Sequence, residues 1–200
     1  MVPVRPVAAR RRQRGGKPYY RVAHPRSSCQ ASGVTGAHES EIVLTPLDEP
    51  ALHRLLEAAV ADADPREVMP PVDGPPGWTR ARREAFLALH RRRSLDPDTA
   101  IETTWVVEVG GRAAGAARLR PVHSTSSVAV EAGVWLCRSV RGRGIGKRVT
   151  EVPLEAARDG GAARFIASTT VADTAGRRLL SGAGADLDVR GEDVDASLEL

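Results

Sequence analysis

The chain has 200 residues, 42% of them hydrophobic but only 4% aromatic, enough for one domain whose core Ala, Val and Leu must fill. No apolar run approaches the roughly 20 residues of a membrane-spanning helix, and the N-terminus lacks the apolar centre of a secretion signal, which argues against a membrane partner and against export. The formal net charge of +4 is unevenly placed: residues 1 to 40 hold eight Lys or Arg against Glu39 alone, leaving 21 basic and 24 acidic residues in the other 160, so the body of the chain is near neutral and offers nucleic acid little.

Residues 1 to 38, with ARRRQRGG and a continuation rich in Pro, Gly and Ser, show neither helical nor strand period and read as a disordered basic tail ahead of a domain at 39–200. Such an arm can touch nucleic acid or an acidic surface through Arg10, Arg11, Arg12 and Arg14, can act as a transit peptide, or can be a solvated extension lying upstream of the true start. Glu41 to Leu44 predicts a first strand. Thr45, Pro46 and Asp48 then supply a cap, a first-turn proline and an acid for a helix through about Ala63. Leu47, Leu52, Leu55, Leu56, Ala59 and Val60 share one face of it. Met69 to Trp78 is a loop rich in Pro and Gly, and Thr79 caps a second helix with Ala81, Ala85, Phe86 and Leu89 at helical spacing.

Strands follow at Thr103 to Val109 and Ala113 to Pro121, joined by Gly110 and Gly111 as a two-residue hairpin. A central strand starts at Val128 and alternates: Val128, Val130, Ala132, Val134 and Leu136 face one way, Ala129, Glu131, Gly133, Trp135 and Cys137 the other. Gly133 marks a bulge or a close approach. The turn RGRGIG, Arg141 to Gly146, leads into the helix KRVTEVPLEAARDG. A fifth strand at Arg164 to Ser168, a helix from Asp173 to Leu180, and closing strands at Leu187 to Arg190 and Ala196 to Leu200 complete the order. Cys29, Cys137 and the five histidines show no metal-ligand spacing, so no metal is expected, and two unlike cysteines fit a reduced cytoplasmic protein.

A strand that delivers glycines into the first turn of a helix presents free N–H groups at the positive end of the helix dipole, a site for phosphate. A P-loop is excluded, because Arg141 stands where its first Gly belongs and Arg148 where Ser or Thr should follow Lys147. A dinucleotide fingerprint fails too, since Lys147 replaces its last Gly. A plain surface turn is the other reading of RGRGIG. Arg-x-x-Gly-x-Gly at Arg141, Gly144 and Gly146, in a strand-turn-helix frame, resembles the pyrophosphate turn of the GNAT superfamily of N-acetyltransferases. The element order along 41–200 is similar as well.

The resemblance implies an α/β fold with a mixed, mostly antiparallel sheet of about six to seven strands and helices on both faces. It implies an acetyl-CoA co-substrate, transfer of acetyl to a small-molecule or protein amine by direct attack, and a domain of a kind that often dimerises. Arg141, Gly142, Arg143, Gly144, Ile145, Gly146 and Lys147 would hold pyrophosphate, while Trp135, Leu136, Cys137 and Asp173 line the coenzyme. The Trp135 amide would meet the thioester oxygen, and Glu131, ten residues before Arg141, would take the amine proton; an ordinary salt-bridged acid is the other reading of Glu131. Met69, Asp73 and Trp78 are placed beside the acceptor, or are loop packing and a cap. Three departures stand out: Asp173 stands where many relatives have Asn, Leu180 occupies the place of a Tyr that protonates the leaving thiolate, and GAGA at 182–185 replaces a Gly-aromatic pair. A non-catalytic acyl-CoA-binding or partner-binding module is the alternative.

Overall fold

The computed structural model describes residues 9–14, 17–22, 41–123 and 128–200. One nine-stranded sheet runs β1 (Ala9–Arg14), β2 (Lys17–Val22), β3 (Ile42–Pro46), β4 (Thr103–Val109), β5 (Arg112–His123), β6 (Val128–Leu136), β7 (Arg164–Thr170), β9 (Asp193–Glu199), β8 (Asp186–Arg190) in spatial order. Every pairing is antiparallel except β6 with β7. The expected α/β class and mostly antiparallel sheet are what is found. β1 and β2 are additions, two strands inside a stretch expected to have none; the rest of 1–38 lies outside the described residues.

Among the described residues five α-helices cover the sheet: α1 (Glu49–Asp62), α2 (Pro65–Val68), α3 (Arg80–His90), α4 (Ile145–Asp159) and α5 (Thr174–Gly182). Strand alternation divides the core between the two faces. Val106 and Ala116 meet Leu52, Leu55 and Ala59 of α1 and Phe86 of α3, whereas Trp105, Val107 and Ala117 point oppositely toward Ile145, Val149 and Val152 of α4. A third cluster joins Val130 and Ala132 to Phe165, Ala167, Leu180 and Ala196, and so fixes α5 beside β7. Among the described residues no helix is long and apolar enough to cross a membrane.

Local chemistry moved some boundaries. Thr45 and Pro46 do not begin α1, because pairing with Val106 and Trp105 keeps them in β3. Asp48 caps instead, accepting from the Ala51 amide at 2.7 Å. Thr79 does cap α3, and Gly110 and Gly111 both take positive φ in the hairpin. The bulge lies between Val107 and Glu108 in the β4·β5 pairing, not at Gly133, where the β5·β6 register is unbroken. Gly133 answers to a close approach: a Cβ there would stand 2.6 Å from Arg118 Nε.

Candidate active site

The site starts from an unfinished pairing. β6 and β7 are parallel for only three pairs, Ala129 with Arg164 to Glu131 with Ile166, and then diverge. Two cavities meet in the gap, sharing Ala132, Gly133, Val134 and Ser168. One, about 90 Å³, runs toward Asp173, Gly176 and Leu180. The other, about 420 Å³, opens toward α2, α3 and the β4·β5 hairpin.

Which amides of β6 face this gap is set by its pairing with β5. The Cys137 N–H donates to Ala114 O at 2.8 Å, and Trp135 lies two residues along the same register, opposite Ala116. Their amides therefore point into the sheet. The expectation for Trp135 and Cys137 is thus corrected by one residue. Ala132, Val134 and Leu136 turn their backbone groups to the gap, and the Leu136 carbonyl is found there accepting from Arg141 Nε at 2.9 Å. Cys137 is buried, and burial pushes its thiol pKa up, as befits a packed residue and not a nucleophile.

In the RGRGIG turn the Arg141 N–H donates to Arg138 O at 3.2 Å, and the amides after it stay bare. Gly142 and Gly144 have φ of +76° and +73°, with nothing within 4 Å of where a Cβ would sit. Helix α4 begins at Ile145, two residues before the expected Lys147. Among the described residues, none of the amides from 142 to 147 donates a hydrogen bond. First-turn amides with no internal acceptor suit an anion. Arg141 is less free than expected. It donates to Glu67 Oε2 at 2.5 Å, and Arg138 holds the other oxygen at 2.9 Å. Those two guanidinium groups keep the Glu67 carboxyl below its usual pKa. Arg143 is exposed and makes no ion pair among the described residues. Asp173 caps α5, accepting from Gly176 N at 2.9 Å and Thr169 Oγ1 at 2.8 Å while lining the smaller cavity.

On the other side, Glu131 is clamped. Arg118 donates to its Oε1 at 2.8 Å and Arg120 to its Oε2. Burial works to raise its pKa, but hydrogen bonds from Arg120 and Arg118 overcome this and lower it. Glu102, with a side chain only 2% exposed, accepts from Arg93 at 2.7 Å and sits 3.5 Å from Arg118. Met69 lines the larger cavity. Asp73 belongs to a separate hollow beside Arg82. Trp78 donates to Ala63 O at 2.9 Å and stacks edge-on to Phe86, so it packs the core.

Sequence reasoning missed Arg82, Arg93, His90, Glu102, Arg118 and Arg120. Arg82 is buried and donates to the carbonyls of Val72, Gly74, Pro75 and Gly77, shaping the loop that borders the cleft. A cation at a buried helical position, amid Ala81, Ala85 and Phe86, was the available signal.

A family model for the acetyltransferase (GNAT) family matches residues 70–184. No curated protein matches the chain. Among solved structures, RimJ of Mycobacterium smegmatis in complex with CoA-disulfide is similar with a TM-score of 0.66 at 16% identity, over 80% of this chain and 83% of that one. The yncA protein of Salmonella typhimurium with its cofactor acetyl-CoA gives 0.57 at 19%, over 80% and 94%. A point mutant of the spermidine N-acetyltransferase SpeG of Vibrio cholerae gives 0.58 at 14%, over 79% and 93%. At these identities the likeness is one of fold.

Proposed function

Because the chain belongs to the GNAT acetyltransferase family, whose model spans more than half of it, we propose that it transfers an acetyl group from acetyl-CoA to a primary amine. The observation that carries this is the run of unbonded amides from 142 to 147 at the start of α4, beside a gap in the sheet with a cavity on each side. The coenzyme supplies an activated acyl thioester. The chain supplies bare N–H groups for the diphosphate, with Arg143 and Lys147 adding charge, and backbone groups of Val134 and Leu136 along the gap. An amide aimed at the carbonyl oxygen stabilises the charge that builds there by a few kcal/mol; on this reading Val134 or Leu136, not Trp135, provides it.

Glu131 in this reading orients Arg118 and Arg120 on the acceptor side and does not take the proton, since both of its oxygens already accept from guanidinium groups. The acceptor is a small-molecule or protein amine. Calorimetry with CoA, followed by thiol release from acetyl-CoA with a panel of amines, tests the proposal. Binding with micromolar or better affinity and amine-dependent thiol release are expected; no CoA binding defeats it.

One observation favours a second reading, a binding module without turnover. Leu180, buried in the third core cluster and lining the smaller cavity, brings no proton-donating side chain of its own to it. A thiol pKa near 8.5 makes thiolate a tolerable leaving group at neutral pH, so transfer remains the preferred reading. CoA binding without amine-dependent thiol release would establish the module instead.

A further inference from the structure

The larger cavity, about 420 Å³, is bounded on its sheet side by a chain of ion pairs. Arg93, in the π turn Arg91–Leu95 that follows α3, donates to Glu102 at 2.7 Å. Arg118 of β5 stands 3.5 Å from the same carboxylate oxygen and donates to Glu131 of β6 at 2.8 Å, while Arg120 holds the other oxygen of Glu131. Three guanidinium groups thus share two carboxylates, and among the described residues no third carboxylate pairs with any of them. One positive charge is left over. The count differs on the α2 side, where Arg138 and Arg141 hold Glu67 and Arg138 also feels Asp64 and Asp62. Arg66, which lines the cavity and is exposed, makes no ion pair among the described residues and adds to the surplus.

Arg118 is the member of this chain that a ligand in the cavity can reach beside the gap. It lines the cavity with its side chain 35% exposed, whereas the Glu102 side chain is only 2% exposed. A guanidinium has five N–H donors. Here Nη2 donates to Glu131, Nη1 reaches Glu102 only at 3.5 Å, and Nε donates to nothing among the described residues. The side chain lies across Gly133, where a Cβ would stand 2.6 Å from Nε, and Gly133 is one of the residues at which the two cavities meet. On the acetyl-transfer reading that junction is where the amine meets the thioester. A partly buried cation with donors to spare therefore stands next to the place the attacking nitrogen must occupy.

We propose that the acceptor is an amine carrying a carboxylate a few bonds from its nitrogen, an amino acid in class, and that Arg118 is the specificity-determining residue that binds the carboxylate. A planar carboxylate matches the parallel donors of a guanidinium, and the pair forms charge-assisted hydrogen bonds. It also supplies the negative charge that the three arginines lack, which matters because a cation withdrawn from water without a counterion is costly. Glu131 and Glu102 hold Arg118 in place without using up its donors. Val68 and Met69 at the end of α2, with Leu89 of α3, give the rest of the acceptor an apolar wall. A polyamine or a basic peptide would instead bring further positive charge to a site already in excess, which works against binding it.

This inference rests on the acetyl-transfer reading, and the test separates the two. Thiol release from acetyl-CoA is measured with leucine, methionine and phenylalanine, each against the amine left when its carboxylate is removed, with spermidine and a peptide amide bearing a free N-terminus alongside. Rates are referred to the concentration of free-base amine, so that differences in amine pKa drop out. In the best pair, kcat/KM of wild type is expected to be about 10- to 100-fold higher for the amino acid. Arg118→Leu should erase most of that ratio by lowering kcat/KM for the amino acid, with CoA affinity by calorimetry unchanged. Arg118→Lys, which keeps the charge without the fork, should fall between. A wild-type ratio of one or less, or turnover confined to spermidine or the peptide, overturns the inference and leaves acetyl transfer intact; this arm needs no variant to fold. So does a loss in Arg118→Leu that is equal for both members of a pair, the signature of a packing residue. Wild type that binds no CoA, or that releases no thiol with any acceptor, overturns both.

Discussion

Glu131 shows how neighbours decide what a carboxylate can do. Burial alone would make it a better proton acceptor, yet Arg120 and Arg118 hold its pKa below the ordinary value of 4.5. With the folded pKa lowered, the ion pairs contribute stability that is fully present above the unfolded value and is lost as pH falls through the folded one. Glu131→Gln should therefore cost about 1–2 kcal/mol at pH 7, the discount reflecting arginines that are about a third exposed. The gap to wild type should shrink at pH 3.5. Urea denaturation at both pH values checks this, and a gap that is the same at both would sink it. The acid itself was legible as a charged residue on a central strand. Its partners were not, because Arg118 and Arg120 are 13 and 11 residues away in sequence and become neighbours only through the β5·β6 register. The same limit explains Trp135: a run of alternating residues reveals two faces, but which amides point to which neighbouring strand depends on a partner such as Ala114 that the run does not name.

At the scale of the element, the turn before α4 was legible from glycine spacing alone, since Gly142 and Gly144 are needed for positive φ. The helix start was misjudged by two residues because Ile145 reads as part of the turn, although burial against Val149 and Val152 draws it into the first turn of α4. The α1 cap was misjudged similarly, Thr45 being claimed by a strand partner. Gly144 and Gly161 offer a controlled comparison: they flank the two ends of α4, at φ of +73° and +71°, each with open space where a Cβ would go. Alanine at either position should cost about 1–2 kcal/mol, the strain of a left-handed residue. Only Gly144→Ala moves the bare amides, so it alone should weaken CoA binding, by roughly tenfold for each 1.4 kcal/mol of binding free energy forgone. Melting curves and calorimetry on both variants decide; equal loss of affinity, or none in Gly144→Ala, would detach the turn from the coenzyme.

For the molecule as a whole, the sheet is two antiparallel blocks, β1 to β6 and β7 to β9, stitched by three parallel pairs and opened beyond them. Strands β3 to β9 were legible because each alternates or ends in a glycine turn. β1 and β2 were not, since ARRRQR and KPYYRV carry no apolar alternation. β2 pairs with β3 through Tyr20 with Leu44 and Arg21 with Val43, on the edge farthest from the opening, with β3, β4 and β5 between it and β6. A chain shortened to begin at Glu41 should therefore bare the outer edge of β3 and lose stability without losing the coenzyme. Forfeiting about 1–2 kcal/mol of pairing lowers the melting midpoint by roughly 2–8 °C in a domain of this size, and an unpaired edge invites association between copies. CoA affinity by calorimetry should match that of the full chain. An unaltered midpoint would mean that β1 and β2 add nothing to the sheet, and a changed affinity would mean that their contact with α4 carries to the bare amides at the start of that helix.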